Sequence, residues 1–338
     1  MVRLGVIGIG YWGPNLVRNF NELSNCKIIK CCDLDTKKLE NIRQKYPDMI
    51  ITKDYLDIIK DKNLDAVIIA TNTKSHYKIV KDVLSEDKHV FVEKPLTTNS
   101  KECLELIDLA KKKNKVLMVG YVFEYNSAIK KLKEYIENGE LGKINYIDMI
   151  RTGHGPIRQD VNVMWDLAPH DIYILLKLID SKPDSVIARG KAFLKNGVED
   201  VVYINLTFPN NKIANIHVSW LNPAKKREIT IVGDKKMAIF NDISQDRKIE
   251  LYDKGAAYSE ISSSEFDKFQ LLLRDGDITI PKINLEEPLK TEAKEFISCI
   301  LENRTPLSDG IKAYYVTKIL EAAEESLKKN GGVIKIVY

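Results

Sequence analysis

Residues 4–14 read LGVIGIGYWGP, a short apolar strand running straight into Gly8-Ile9-Gly10-Tyr11-Trp12-Gly13 and a helix opened by Pro14. At such a strand-to-helix junction each glycine has its own task. Gly8 permits the tight turn, Gly10 lets the backbone approach a pyrophosphate, and Gly13 allows helix and strand to pack closely. Pro14 suits a first helical turn, where its missing N–H would have no partner anyway, and the helix N-terminus then points at the anion. Asp33 ends the next strand 20 residues after Gly13, the spacing at which a carboxylate accepts from the adenosine ribose hydroxyls. The same charge repels a 2′-phosphate, and Leu34, Asp35 and Thr36 offer no arginine to receive one. NAD is therefore expected in preference to NADP, held by Gly8, Ile9, Gly10, Tyr11, Trp12, Gly13 and Asp33.

Working outward, RLGVIGI, KIIKCCD, DAVIIAT, HVFVEK and VLMVGY alternate with helical segments such as SKECLELIDLAKKKN. That rhythm predicts a doubly wound parallel sheet with helices on both faces. DAVIIA and HVFVE are apolar at successive positions, so those strands should be buried on both sides. After about residue 125 the rhythm changes. A helix, the strand INYIDMI, an irregular stretch from Arg151 to Asn162 and the helix HDIYILLKLI precede several extended segments broken by NN, NP and GD turns, which predict a largely antiparallel sheet. The expected fold is α/β. An N-terminal NAD-binding Rossmann domain over residues 1–122 is followed by an α/β domain over 123–338 with an open, mostly antiparallel sheet. Its C-terminal helix is able to pack back on the first domain.

The 338 residues suit two domains. With 44% hydrophobic and 30% charged residues the chain reads as folded. Lys and Arg number 52 against 48 Asp and Glu, spread along the chain, which argues against a nucleic-acid partner. No stretch has the apolar length of a membrane span, and Met1 leads almost directly into a strand, so a cytoplasmic protein is expected. The five cysteines form no C-x-x-C pair and no zinc-ligand spacing; no metal is expected. Adjacent Cys31 and Cys32 point to opposite faces of a strand.

Two further clusters carry chemistry. Thr71, Asn72 and His76 follow one candidate strand, and Glu93-Lys94-Pro95 ends the next. In an open parallel sheet these carboxyl ends face the same crevice as the glycine loop. The proline after it excludes the helical region for Lys94, so the ammonium is aimed consistently and able to stabilise negative charge on a substrate oxygen. Pro169 marks a helix beginning at HDIYILLKLI, where Asp166 and His170, four apart, share one face. An imidazole titrating near neutrality is a suitable base for an alcohol proton, and a nearby carboxylate orients it. In isolation the same pair also reads as an N-cap and an ordinary polar histidine.

Together GVIGIGYWG, ATNTKSH, VEKPLTT, VGYVFEYN and the D-x-x-x-H of Asp166 to His170 resemble, in order and spacing, the Gfo/Idh/MocA family of NAD(P)-dependent sugar oxidoreductases. The resemblance implies a second-domain sheet that faces the nicotinamide and often forms the interface of a homodimer or homotetramer. It implies Lys94 and His170 as the catalytic pair with Asp166 in support, and a lysine-proline peptide that is cis. Thr71, Asn72, His76, Glu93 and Lys94 would flank the ribose and nicotinamide. Tyr121, Phe123, Asn126, Arg151, Arg158, Asn162 and Trp165 would line the substrate site, the two arginines matching a diphosphate. The stretch GPIRQDVNVMWDLAPHDI is similar to the branch that oxidises nucleotide-linked N-acetylamino sugars, UDP-N-acetylglucosamine at C3 above all, with an aminotransferase consuming the product. Ser127 and Gly153-His154 depart from that branch's pattern. The alternatives are another substrate, such as an inositol or a UDP-N-acetylamino-uronic acid, and a catalytically silent NAD-binding regulatory subunit.

Overall fold

A computed structural model describes residues 1–155, 157, 158, 160–259 and 270–338 of the chain. Its residues fall into two compact units. The first comprises Met1–Asn126, Glu286–Glu321 and Tyr338, the second Ser127–Leu285 and Ala322–Val337. Residues 286–321 thus return to the first unit.

In the first unit β1 (Val2–Ile7), β2 (Cys26–Cys32), β3 (Ile50–Thr52), β4 (Ala66–Ile69), β5 (His89–Glu93) and β6 (Leu117–Gly120) form one parallel sheet in the order β3-β2-β1-β4-β5-β6. Parallel neighbours need long crossovers, supplied by α1 (Gly13–Asn21), α2 (Thr36–Lys45), α3 (Leu56–Ile59), α4 (Thr73–Ser85) and α5 (Ser100–Lys112). Every residue of β4 is buried, and every residue of β5 after the half-buried His89, as their uninterrupted apolar runs predict; β6 is buried throughout as well. The order reverses beside β1, so the crevice opens where the glycine loop leaves β1. A 3-10 turn at Val122–Tyr125 follows β6.

The second unit begins with α6 (Ser127–Glu137), β7 (Ile144–Thr152) and α7 (Val163–Ile179). It continues through β8 (Ser185–Lys191), β9 (Val201–Thr207), β10 (Ile213–Ser219), β11 (Lys226–Gly233), β12 (Met237–Asn241), β13 (Ile249–Ser259) and β14 (Gln270–Thr279). Among the described strands only β7 and β10 pair in parallel; the other pairs in this sheet are antiparallel. Alternation along β7 buries Ile147, Met149 and Arg151 on one face, the face that α7 covers. Tyr146, Tyr203 and Ile213 are exposed on the other, where Tyr203 stacks on His217 at 4.2 Å.

α7 starts earlier than its proline suggests. Asn162 caps it, its Oδ1 accepting from the Trp165 N–H at 3.2 Å, and Pro169 lies inside the helix. Pro169 removes one intrahelical hydrogen bond, but the cap and the buried Val163-Met164-Trp165 hold the preceding turns.

The chain then returns. α8 (Pro288–Glu302) packs on α1 and the 3-10 turn. Its Phe296 meets Phe20 of α1 and Phe91 of β5 edge-to-face, with the three ring pairs 5.7 to 6.1 Å apart, an arrangement aromatic rings prefer. α9 (Gly310–Lys328) contributes residues up to Glu321 to the first unit and from Ala322 to the second. The short β15 (Ile334–Lys335) pairs with β8. No helix among the described residues is long and apolar enough to cross a membrane. All five cysteines are free and buried.

Candidate active site

The glycine loop is built as its spacing predicts. Gly8 has φ +97°, and a Cβ on it would lie 2.5 Å from the Ala70 carbonyl oxygen. A Cβ on Gly13 would collide with the Gly8 carbonyl oxygen. Above Gly10 nothing lies within 4 Å, so a bound group can reach that backbone. Trp12, at the N-cap of α1, makes no side-chain cap hydrogen bond; Pro14 has no N–H and the Asn15 N–H bonds the Trp12 carbonyl oxygen at 3.0 Å, which leaves the Gly13 N–H to an anion. Asp33 accepts from the Ile9 N–H through Oδ2 at 2.6 Å and from the Asp35 N–H through Oδ1 at 2.8 Å. A carboxylate has about four acceptor positions, so ribose hydroxyls still find room. Tyr11 and Trp12 stand exposed on the same loop, edge-to-face. These residues fit a dinucleotide.

Beyond β4 and β5 the predicted residues divide. Asn72 is exposed at the N-cap of α4 and makes no side-chain cap bond; the Thr71 hydroxyl accepts from Ser75. His76 differs from expectation: it is 1% exposed, with Nδ1 2.8 Å from the Pro95 carbonyl oxygen and Nε2 3.2 Å from that of Thr71. It ties the loop after β4 to the loop after β5, and so positions them. Lys94 is half-buried, and its peptide bond to Pro95 is cis. Glu93 is buried against the bare Gly120, where a Cβ would sit 3.2 Å from its carboxylate. Burial pushes this carboxyl up to about 7, against the pull of the Lys94 charge and backbone N–H.

In the second unit Asp166 and His170 are both half-buried, one helical turn apart on α7. Asp166 accepts from Arg158 through Oδ1 at 3.3 Å and from the Trp220 indole through Oδ2 at 3.1 Å. Arg158 in turn bonds Asp160 through Nε at 2.9 Å and Nη2 at 2.5 Å. The second arginine expected at a diphosphate is engaged more deeply. Arg151 makes a forked pair with Asp171 of α7 at 2.9 to 3.1 Å, the two side chains 6% and 2% exposed. It joins sheet to helix and is not available to substrate.

Other lining candidates also turn inward. Asn162 is the cap of α7 and donates to Glu199 at 2.8 Å. Trp165 is buried, its indole N–H on Glu324 at 3.1 Å. Tyr121 is fully buried, Phe123 nearly so, and Asn126 half-buried. The reading missed Trp220 and Asp160, which hold the Asp166 network, and Asp171. Alternation in INYIDMIRT, which places Arg151 in phase with Ile147 and Met149, was the available signal for a buried arginine.

A family profile described as "Oxidoreductase family, NAD-binding Rossmann fold" matches residues 2–121, and the "GFO/IDH/MocA C-terminal domain" profile matches residues 129–239. Myo-inositol 2-dehydrogenase of Thermotoga maritima is 27% identical over 225 residues, 64% of this chain and 67% of that protein. Among solved structures, UDP-N-acetylglucosamine 3-dehydrogenase GnnA from Acidithiobacillus ferrooxidans superposes with a TM-score of 0.80 at 21% identity, covering 97% of this chain and 98% of that one. A levoglucosan dehydrogenase in complex with NADH and levoglucosan gives 0.83 at 20% identity, covering 99% of each. These likenesses establish the fold, and the two profiles, with a glycine loop and Asp33 shaped for the cofactor, establish the kinship: the chain belongs to the Gfo/Idh/MocA family of NAD-dependent oxidoreductases.

Proposed function

We propose that the protein oxidises a hydroxyl of a sugar or polyol, and that its substrate is a nucleotide-linked amino sugar, UDP-N-acetylglucosamine oxidised at C3. The observation that carries the reading is the intact cofactor loop of the first unit, in a chain that also carries Lys94 at the carboxyl end of β5 and, in its second unit, Asp166 and His170 one turn apart on α7. Bound NAD+ supplies the hydride acceptor. His170 takes the hydroxyl proton, and Asp166, fixed by Arg158 and Trp220, supports the protonated ring. Lys94 donates to the same oxygen as negative charge develops there. Likeness to GnnA across 97% of the chain supports the amino sugar, and the product would go to an aminotransferase.

One observation favours a second reading. Arg151 is paired with Asp171 and Arg158 with Asp160 and Asp166, so neither stands ready for a diphosphate. A sugar or polyol without a nucleotide, as the inositol dehydrogenase relative's name suggests for that enzyme, needs no such arginine. The experiment is absorbance at the NADH band after mixing protein and NAD+ with UDP-N-acetylglucosamine, its uronic-acid counterpart or myo-inositol, with an aminotransferase and amino donor to pull a keto product. Reduction with the first alone supports the amino sugar. Reduction with inositol alone transfers the proposal to the second reading. Silence with all three, with NAD bound, favours a regulatory subunit.

We also place the protein in the cytoplasm, where free buried cysteines stay reduced, and assign the exposed sheet face around Tyr146, Tyr203 and Ile213 to a second copy of the chain. Light scattering on Tyr203→Asp tests the latter: the variant should fall to a smaller species than the unmodified protein, and unchanged mass removes this face as the interface.

A further inference from the structure

The turn between β8 and β9 ends in two consecutive acidic residues, and each is tied to a different support of Asp166. Glu199 meets the start of α7. Its carbonyl oxygen accepts from the Val163 N–H at 3.0 Å, and its Oε2 accepts from Asn162 Nδ2 at 2.8 Å. Asn162 in turn holds the first turn of the helix, through its Oδ1 on the Trp165 N–H and its carbonyl oxygen on the Asp166 N–H, both at 3.2 Å. Asp200 meets the end of β10. Its carbonyl oxygen accepts from the Trp220 N–H at 3.0 Å, and the Trp220 indole donates to Asp166 Oδ2 at 3.1 Å.

These bonds close a ring that runs from Glu199 through Asn162, Asp166, Trp220 and Asp200 and returns by the peptide bond between the two acids. Asp166 is thereby held at both ends, its backbone by Asn162 and its carboxylate by Trp220. The turn is braced from within. Asp200 is 1% exposed, and its Oδ2 gathers the N–H groups of Phe193 and Leu194 at 2.9 and 2.8 Å while its own N–H bonds the Lys191 carbonyl oxygen.

We propose that Glu199 is a positioning residue: by holding Asn162 it sets the turn of α7 that carries Asp166, and with it the support that Asp166 gives to protonated His170. This rests on the reading above that makes His170 the base and Asp166 its support. The hydrogen bond and not the charge carries the effect, since an uncharged amide oxygen at the same place accepts from Asn162 equally well. The other charged groups around this end of α7 have partners of their own. Arg158 pairs with Asp160 and Asp166, Arg151 of β7 with Asp171, and Glu324 of α9 accepts from the Trp165 indole. On α6, Lys131 and Lys133 pair with Glu134 and Glu137.

The test is the NMR titration of the His170 imidazole in the full chain, its signal among the five histidines identified by its loss in His170→Gln. A carboxylate beside an imidazole favours the protonated ring, so Asp166→Asn should lower the His170 titration by about one unit. Glu199→Ala should lower it in the same direction by roughly half a unit, because the Asp166 carboxylate is retained but less well placed. Glu199→Gln should restore the unmodified value. Asn162→Ser keeps a capping oxygen and loses the amide donor to Glu199; it should match Glu199→Ala, and serves if that variant fails to fold. In an Asp166→Asn background Glu199→Ala should add less than about 0.2 unit, as expected of two residues acting through one contact. An unchanged titration in Glu199→Ala, or a shift shared by Glu199→Gln, overturns the proposal: the first leaves the bond without effect, and the second makes charge the cause. No substrate is needed, so the identity of the sugar does not enter. If Asp166→Asn itself leaves His170 unmoved, the reading of Asp166 as its support falls and the positioning role falls with it. If Asp166→Asn moves His170 and Glu199→Ala does not, the positioning role alone falls.

Discussion

Asp33 and Asp166 are both carboxylates of the proposed chemistry, and the protein holds them by opposite means. Asp33 is gripped by peptide N–H groups of Ile9 and Asp35. Asp166 is gripped by the side chains of Arg158 and Trp220, and Arg158 needs Asp160 to hold it in turn. Peptide donors arrive with the fold and keep their place whatever side chains surround them. Side-chain donors must be ordered at an entropic cost, and each is open to replacement. The first arrangement is therefore broken through backbone shape, the second by single polar substitutions.

The largest expected effect lies at the proposed donor to the reacting oxygen. Lys94→Ala should lower kcat by about 10²- to 10⁴-fold while calorimetry shows NAD+ affinity held within about threefold, a loss confined to the transition state. Parallel losses in both would make Lys94 a cofactor ligand instead. Next comes the buried pair of the second unit. Asp171→Ala removes the forked carboxylate partner of Arg151 in a 6% exposed position and should destabilise by about 3–5 kcal/mol in denaturant unfolding. A double Arg151→Met, Asp171→Leu variant should recover most of that loss, and failure to recover would show the pair to be more than a sheet-to-helix tie.

The glycine loop should separate fold from function. Gly8→Ala meets both a positive φ and the Ala70 carbonyl, and should cost about 1–3 kcal/mol in unfolding measurements. Gly10→Ala meets nothing within 4 Å; its stability should be unchanged and its NAD+ affinity reduced. Stability lost at Gly10 would contradict the open cradle. The smallest effect belongs to Arg158→Gln. Its ion pairs are partly exposed, so stability should move by less than about 1 kcal/mol, with kcat falling as Asp166 loses its Arg158 anchor. If stability falls as far as for Asp171→Ala, the contrast between the two arginines collapses.

What could be read in advance follows the same division. Gly8, Gly10, Gly13 and Asp33 were legible because each obeys a local backbone requirement at fixed spacing. The parallel sheet was legible from the unbroken apolar runs of β4 and β5. Arg151 was assigned to substrate because its partner, Asp171, lies 20 residues on, and pairing at that distance is decided by tertiary packing. Pro169 was given the role of a helix start, when the stronger signal was Asn162 ahead of a buried apolar turn. Gly120 carried no motif at all: its meaning comes from the Glu93 carboxylate that occupies the space a side chain would take.

The return of residues 286–321 to the first unit also fixes an order of events during synthesis. A ribosome that has released the first 126 residues has made the whole parallel sheet but not α8, so Phe20 and Phe91 still lack the ring of Phe296. The cofactor domain, first to emerge, is among the last to close its core. A stalled or truncated chain would therefore present an uncovered aromatic surface to chaperones and proteases.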